Sequence, residues 1–142
     1  MTKPALGRLV PVEVRDYWTH EAHEFTPWLA EPDSIKLLGD TLGLQLEVEK
    51  TEATVGPFRA DILCKDPSSE ELVVIENQLE GSDDAHLGAL LTYGAGVASG
   101  TIIWVARSLT DQHRAALDWL NRVTESGVNF FVVEIARPGG SP

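Results

Sequence analysis

Between Arg59 and Tyr93 the chain reads RADILCKDPSSEELVVIENQLEGSDDAHLGALLTY. This stretch constrains the fold most. It holds two apolar runs that alternate with a period of two, and each carries a carboxylate, Asp61 in the first and Glu76 in the second. A period of two is that of a half-buried strand. Glu76 follows Leu72-Val73-Val74-Ile75 and stands where an apolar side chain is expected. A carboxylate in such a place needs a partner to offset its burial. If the runs are neighbouring strands, about 4.8 Å apart, the two acids can meet on one face.

The rest of the chain supplies the layers around that sheet. Residues Met1 to Pro11 read as a loose arm. A helical pattern runs from Val14 to Ala30 and kinks or restarts at Pro27. Pro32-Asp33-Ser34 opens a second helix, with Asp33 or Ser34 as N-cap and Gly43 as its stop. From Leu44 the period changes to two, and Leu44, Leu46 and Val48 alternate with polar residues. Phe58 to Cys64 and Leu72 to Leu79 are the next strands, joined by a polar loop from Asp66 to Glu70. Phe58, Ala60, Ile62 and Cys64 share one face; Arg59, Asp61, Leu63 and Lys65 share the other. In the following strand Leu72, Val74, Glu76 and Gln78 lie together.

Ser82 or Asp83 caps a helix from about Asp84 to Ala98. Its glycines weaken it intrinsically, and close approach to the sheet is the expected reason for them. Thr101 to Ala106 is a buried strand, Thr110 to Thr124 an amphipathic helix and Asn129 to Ile135 the last strand. The order is ααβββαβαβ, an α/β domain with a mixed sheet flanked by helices. The first three strands form an antiparallel meander, and the later ones are reached by helical crossovers and are parallel. The domain spans 12–136, with flexible termini at 1–11 and 137–142.

Composition limits the function. With 142 residues the chain fits one domain with a real core. Cys64 is the one cysteine, so no internal disulfide forms, which suits a reducing, cytoplasmic compartment. No signal peptide or membrane span is evident. The net charge of −11 is unusual for a protein that grips nucleic acid, where a basic footprint supplies non-specific affinity.

The acids carry the chemistry. Mg²⁺ or Mn²⁺ takes hard oxygen ligands, often one or two carboxylates completed by water and substrate phosphate. Asp61 and Glu76 are such a pair, and the backbone carbonyl of Asn77 is a third candidate ligand. Two solvent-facing strand carboxylates would show the same spacing. A zinc site at His20–His23 lacks the required i, i+4 spacing.

The blocks EFTPWLAE (Glu24–Glu31), VGPFRADILCKD (Val55–Asp66), VVIENQLE (Val73–Glu80), HLGALLTYGAG (His86–Gly96) and HRAALDWLN (His113–Asn121) resemble an uncharacterised prokaryotic branch of the PD-(D/E)xK nuclease superfamily, the restriction-endonuclease-like fold. Asp61 followed by Glu76-Asn77-Gln78 matches its acid motif, with Gln78 in place of the usual lysine. The resemblance implies a metal-dependent endonuclease. Asp61 and Glu76 would bind the ion, and Gln78 would orient water or donate to a phosphate oxygen without carrying charge. Glu21 or Glu24 would add an acid from the first helix. His86 would approach the substrate at the start of its helix. The related branch carries Asp-His just before that position; Asp83-Asp84 stands here and removes a phosphate contact. Tyr93, on the same helix face as His86, reads as a packing residue. Arg59, on the Asp61 face, is the leading substrate cation, ahead of Lys65, Arg107, His113, Arg114 and Arg122.

Two readings of function follow. One is a nuclease acting on DNA, less expectedly on RNA. The other is a nuclease-derived binding or assembly module with weak or lost turnover, favoured by Gln78, Asp84 and the charge of −11. Cutting both strands would call for a homodimer, with the apolar helix Leu87–Val97 as an interface. Relatives in that branch often extend further at the C-terminus.

Overall fold

A computed structural model describes residues 8–10, 25–55, 58–97 and 100–135. Six strands form one mixed sheet in the order β1-β6-β5-β4-β3-β2. The elements are β1 (Arg8–Val10), α1 (Thr26–Leu29), α2 (Pro32–Leu42), β2 (Glu47–Val55), β3 (Phe58–Lys65), β4 (Leu72–Gly81), α3 (Asp84–Val97), β5 (Thr101–Ser108), α4 (Asp111–Val123) and β6 (Asn129–Ile135). β2–β3 and β3–β4 are antiparallel. β4–β5 and β5–β6 are parallel. The meander and the helical crossovers are therefore as the sequence indicates.

Three expectations need correction. Arg8–Val10 is not part of a loose arm; it is a strand pairing parallel with β6, Arg8 opposite Val133. Its partner is far along the chain, so nothing local announces it. The order thus gains a strand before α1. The cap of α2 is Glu31, not Asp33 or Ser34, and no side chain caps it. Pro32 takes the first helical position, where its missing N–H costs nothing. The strand expected from Leu44 begins at Glu47. Leu44 is still tied to α2, since its N–H donates to the Gly39 carbonyl at 2.8 Å. Gly43, at φ +74°, makes the left-handed turn that allows this bond. The expected helix before Phe25 and the termini 1–7 and 136–142 lie outside the described residues.

The sheet is buried on both faces. On one side α1 and α2 bring Phe25, Leu29, Ile35, Leu38 and Leu42 onto Ile62, Cys64, Ile75, Ile103 and Val105. On the other, Leu90 and Leu117 pack with Ile102, Trp104, Phe130 and Val132. The alternation in β3 and β4 assigns these faces as read from sequence. Gly94 brings α3 onto β5: a Cβ there would run into Cδ1 of Ile102. Gly88 has no such neighbour, so close approach explains one of these glycines and not the other. No helix among the described residues is long and apolar enough to cross a membrane.

Candidate metal centre at a fork in the sheet

β3 and β4 pair only from Lys65↔Leu72 to Ile62↔Ile75. One step further the register sets Asp61 opposite Glu76, and there the strands part. β3 continues against β2 as far as Phe58, while β4 continues against β5 through Glu76↔Trp104 and Gln78↔Ala106. The fork leaves the β3-facing backbone of β4 without a strand partner. Asp61 answers it: its Oδ2 accepts the Asn77 backbone N–H at 2.8 Å. In an extended strand the N–H and C=O of one residue face the same neighbour, so the Asn77 carbonyl is also turned toward the fork.

The residues at the fork are not equivalent in burial. Glu76 is 7% exposed, Asn77 fully buried, and Asp61 half-buried. The Asn77 side chain lies on the α1 side, where its Nδ2 donates to Thr26 Oγ1 at 3.0 Å. Its Oδ1 has no hydrogen-bond partner among the described residues. Asn77 thereby ties the start of α1 to the strand that carries Glu76.

Tyr93 closes the opposite face. It is 9% exposed on α3 and packs with Ala60 and Val74. Burial raises the pKa of its hydroxyl first, and the nearby charges of Glu76 and Asp61 raise it further, partly offset by a hydrogen bond from the Arg59 backbone. The tyrosine hydroxyl is therefore within electrostatic reach of both carboxylates. Sequence periodicity placed Tyr93 inward but gave it only a packing role; the apolar helix gave no sign of the acids beneath it.

Gln78 is on the Glu76 face, as expected, yet its amide is bonded elsewhere. Oε1 accepts from Trp104 Nε1 at 3.1 Å. Nε2 donates to the Gly81 carbonyl at 2.7 Å and to Asp83 Oδ2 at 3.0 Å. Gln78 is 1% exposed. Asp83 is the N-cap of α3: its Oδ1 accepts the His86 backbone N–H at 2.8 Å and lies 2.8 Å from His86 Nδ1. These bonds from His86 hold the Asp83 pKa below its ordinary value. His86 is thus engaged at the helix start.

His113 is buried beside them. Its Nδ1 meets Ser82 Oγ at 2.7 Å and Thr110 Oγ1 at 2.9 Å, and its Nε2 meets Asp84 Oδ1 at 2.8 Å. It joins the turns that follow β4 and β5, and it packs against the Trp104 ring at 5.6 Å. Arg59 is exposed on β3, with Glu52 at 3.9 Å. Arg114 pairs with Glu134 at 3.2 Å. Glu21 and Glu24 lie outside the described residues.

The donor set suits a hard divalent ion. The register sets two carboxylates opposite one another beside a backbone carbonyl, donors of the kind Mg²⁺ takes when water and phosphate complete its shell. Among the described residues no group of three or more His, Cys, Asp or Glu forms a metal cage, which excludes a closed zinc-type site there.

No known family model matches the chain, and no curated protein does. Two solved structures share its fold. A repair endonuclease from Pyrococcus abyssi superposes with a TM-score of 0.57 at 16% identity, over 82% of this chain and 48% of that one. A structure described as an EndoMS–dsDNA2 complex gives a TM-score of 0.58 at 19% identity, over 78% of this chain and 43% of that one. The mixed sheet flanked by helices is the architecture shared with both. The chain spans less than half the length of either structure.

Proposed function

We propose that this domain is a divalent-metal-dependent nuclease acting on DNA phosphodiester bonds. The observation that supports the reading is the fork, where the register sets Asp61 opposite Glu76 and both charges act on the Tyr93 hydroxyl. The two endonucleases of like fold, one described with double-stranded DNA, point to DNA over RNA.

Asp61 and Glu76 would hold Mg²⁺ or Mn²⁺, with the Asn77 carbonyl as third ligand. When bound, the ion supplies a Lewis acid for the phosphate and lowers the pKa of an attacking water. Asp61 is oriented for this by the Asn77 N–H. Tyr93, with its pKa raised by burial and the acids, stays protonated near neutral pH and can donate to a water or a phosphate oxygen. Arg59, exposed on β3 two residues before Asp61, is the candidate cation for the DNA backbone.

The second reading, a binding module that retains the fold, is favoured by the amide of Gln78, which is spent inside the protein. The net charge of −11 also disfavours tight unaided DNA binding. One assay separates the two. Plasmid, single-stranded DNA and RNA are incubated with Mg²⁺ or Mn²⁺ beside Glu76→Ala. Cleavage of DNA by the parent and none by the variant supports the nuclease. Silence from the parent on every substrate, or equal cleavage by both, sinks it.

A further inference from the structure

The orientation of the Gln78 amide is fixed by chemistry. An indole Nε1 only donates, so the oxygen must face Trp104. A peptide carbonyl and an ionised carboxylate only accept, so the nitrogen must face Gly81 and Asp83. Both N–H groups and the oxygen are therefore committed, at 2.7, 3.0 and 3.1 Å, in a residue 1% exposed. The partners belong to three different parts of the fold. Trp104 is on β5, opposite Glu76 in the ladder. Gly81 ends β4. Asp83 caps α3, the helix that carries Tyr93.

We infer that Gln78 is a positioning residue, which locks α3 and β5 to the strand of Glu76 and so sets Tyr93 over the two acids. It acts through Asp83 and Trp104 and does not reach substrate. The inference rests on the metal-site reading for its effect on the ion, and on the bonds alone for its effect on the fold.

The consequence runs against the motif. Lysine is the usual residue at this position in the family the sequence resembles, so Gln78→Lys would be expected to improve the site. An ammonium offers three donors and no acceptor. It can meet Gly81 and Asp83, but it sets a cation against the buried Trp104 N–H. The lysine must either break that contact or withdraw from Asp83.

The test uses the full chain and four variants: Gln78→Lys, Gln78→Glu, Asp83→Asn and the double Gln78→Glu/Asp83→Asn. The indole N–H resonance of Trp104, assigned by its loss in Trp104→Phe, reports the network without any metal. Mn²⁺ affinity and DNA cleavage report the site. Gln78→Lys is expected to move the Trp104 resonance and to lower both Mn²⁺ affinity and cleavage about tenfold. Gln78→Glu opposes Asp83 and does the same; the double variant, with an amide now at position 83, regains the bond between positions 78 and 83 but not the one to the Gly81 carbonyl, and recovers part of the thermal midpoint and of the Mn²⁺ affinity. An unmoved Trp104 resonance in Gln78→Lys, with Mn²⁺ binding and cleavage at or above the parent, overturns the inference. So does a double variant no better than Gln78→Glu. Should Gln78→Lys fail to fold, the comparison of Gln78→Glu with the double variant decides alone. A parent that binds no Mn²⁺ sinks the metal reading only, since the Trp104 resonance and the recovery of the thermal midpoint still judge Gln78.

Discussion

The Asp61 carboxylate accepts the Asn77 backbone N–H at 2.8 Å, across the point where β3 leaves β4. One side chain thus serves as both a ladder substitute and a metal ligand candidate, and the two roles can be parted. Asp61→Ala removes the acceptor and should cost about 1–3 kcal/mol as well as Mn²⁺ binding. Asp61→Asn keeps an acceptor oxygen and should retain most of the stability while losing the ion. Urea unfolding and Mn²⁺ titration of both variants check this; equal destabilisation by Ala and Asn would contradict it.

Glu76 is 7% exposed and shares its face with Asp61. Glu76→Gln keeps the shape and removes one of two like charges. Without metal the variant should be as stable as the parent or more so, because the repulsion is gone. With Mn²⁺ only the parent should gain in melting temperature, as ligand linkage requires. A scan with and without the ion shows either the crossing or its absence.

Tyr93 offers a pH readout. Its pKa is raised by burial first, then by Glu76 and Asp61. The folded state therefore holds this proton more tightly than the unfolded chain. The resulting stability is complete below the ordinary tyrosine pKa of about 10 and is lost as pH rises through the higher folded value. Tyr93→Phe should flatten this alkaline loss. An ion held by the two acids should cancel their field and bring the Tyr93 titration down. Tyrosinate absorbance in a Tyr17→Phe background, with and without Ca²⁺, follows it; a titration that ignores the ion would place the metal elsewhere.

Cys64 is fully buried on the α1–α2 side of the sheet. Burial, and secondarily the charge of Glu49, push its thiol up to about 12. Since the thiolate is the reactive form, alkylation at neutral pH should proceed only as the protein opens. Labelling in native buffer and in denaturant should differ by orders of magnitude. Fast native labelling would mean that the α2 side opens locally.

Much of the architecture was legible because its signals are local. The two-residue alternation assigned the faces of Ile62, Cys64, Val74 and Ile75 correctly, while Ala60, read with Ile62, packs instead with Val74 and Tyr93. The amphipathic pattern over Thr110–Thr124 announced α4, and Thr110 lies just before the helix as its N-cap, accepting the His113 N–H at 3.1 Å. β1 was missed because a three-residue strand has too little pattern of its own, and its partner Val133 is remote in sequence. At the site, alternation put Glu76 and Gln78 on one face but could not show that Trp104 and Asp83 take up the Gln78 amide. Leu44 was read as strand because its alternation with Leu46 and Val48 looks the same whether or not the α2 cap holds its N–H. Pairings between distant elements are where sequence pattern stops being informative.

The pairing of β1 with β6 also sets a timetable. Arg8 and Val133 are far apart along the chain. Closing so long a loop carries an entropic cost that local contacts do not, and folds rich in such contacts form slowly. The hairpins β2–β3 and β3–β4 can assemble early, with Asp61 and Glu76 already near one another. β1 and β6 must be brought together across that long loop before this edge of the sheet is sealed.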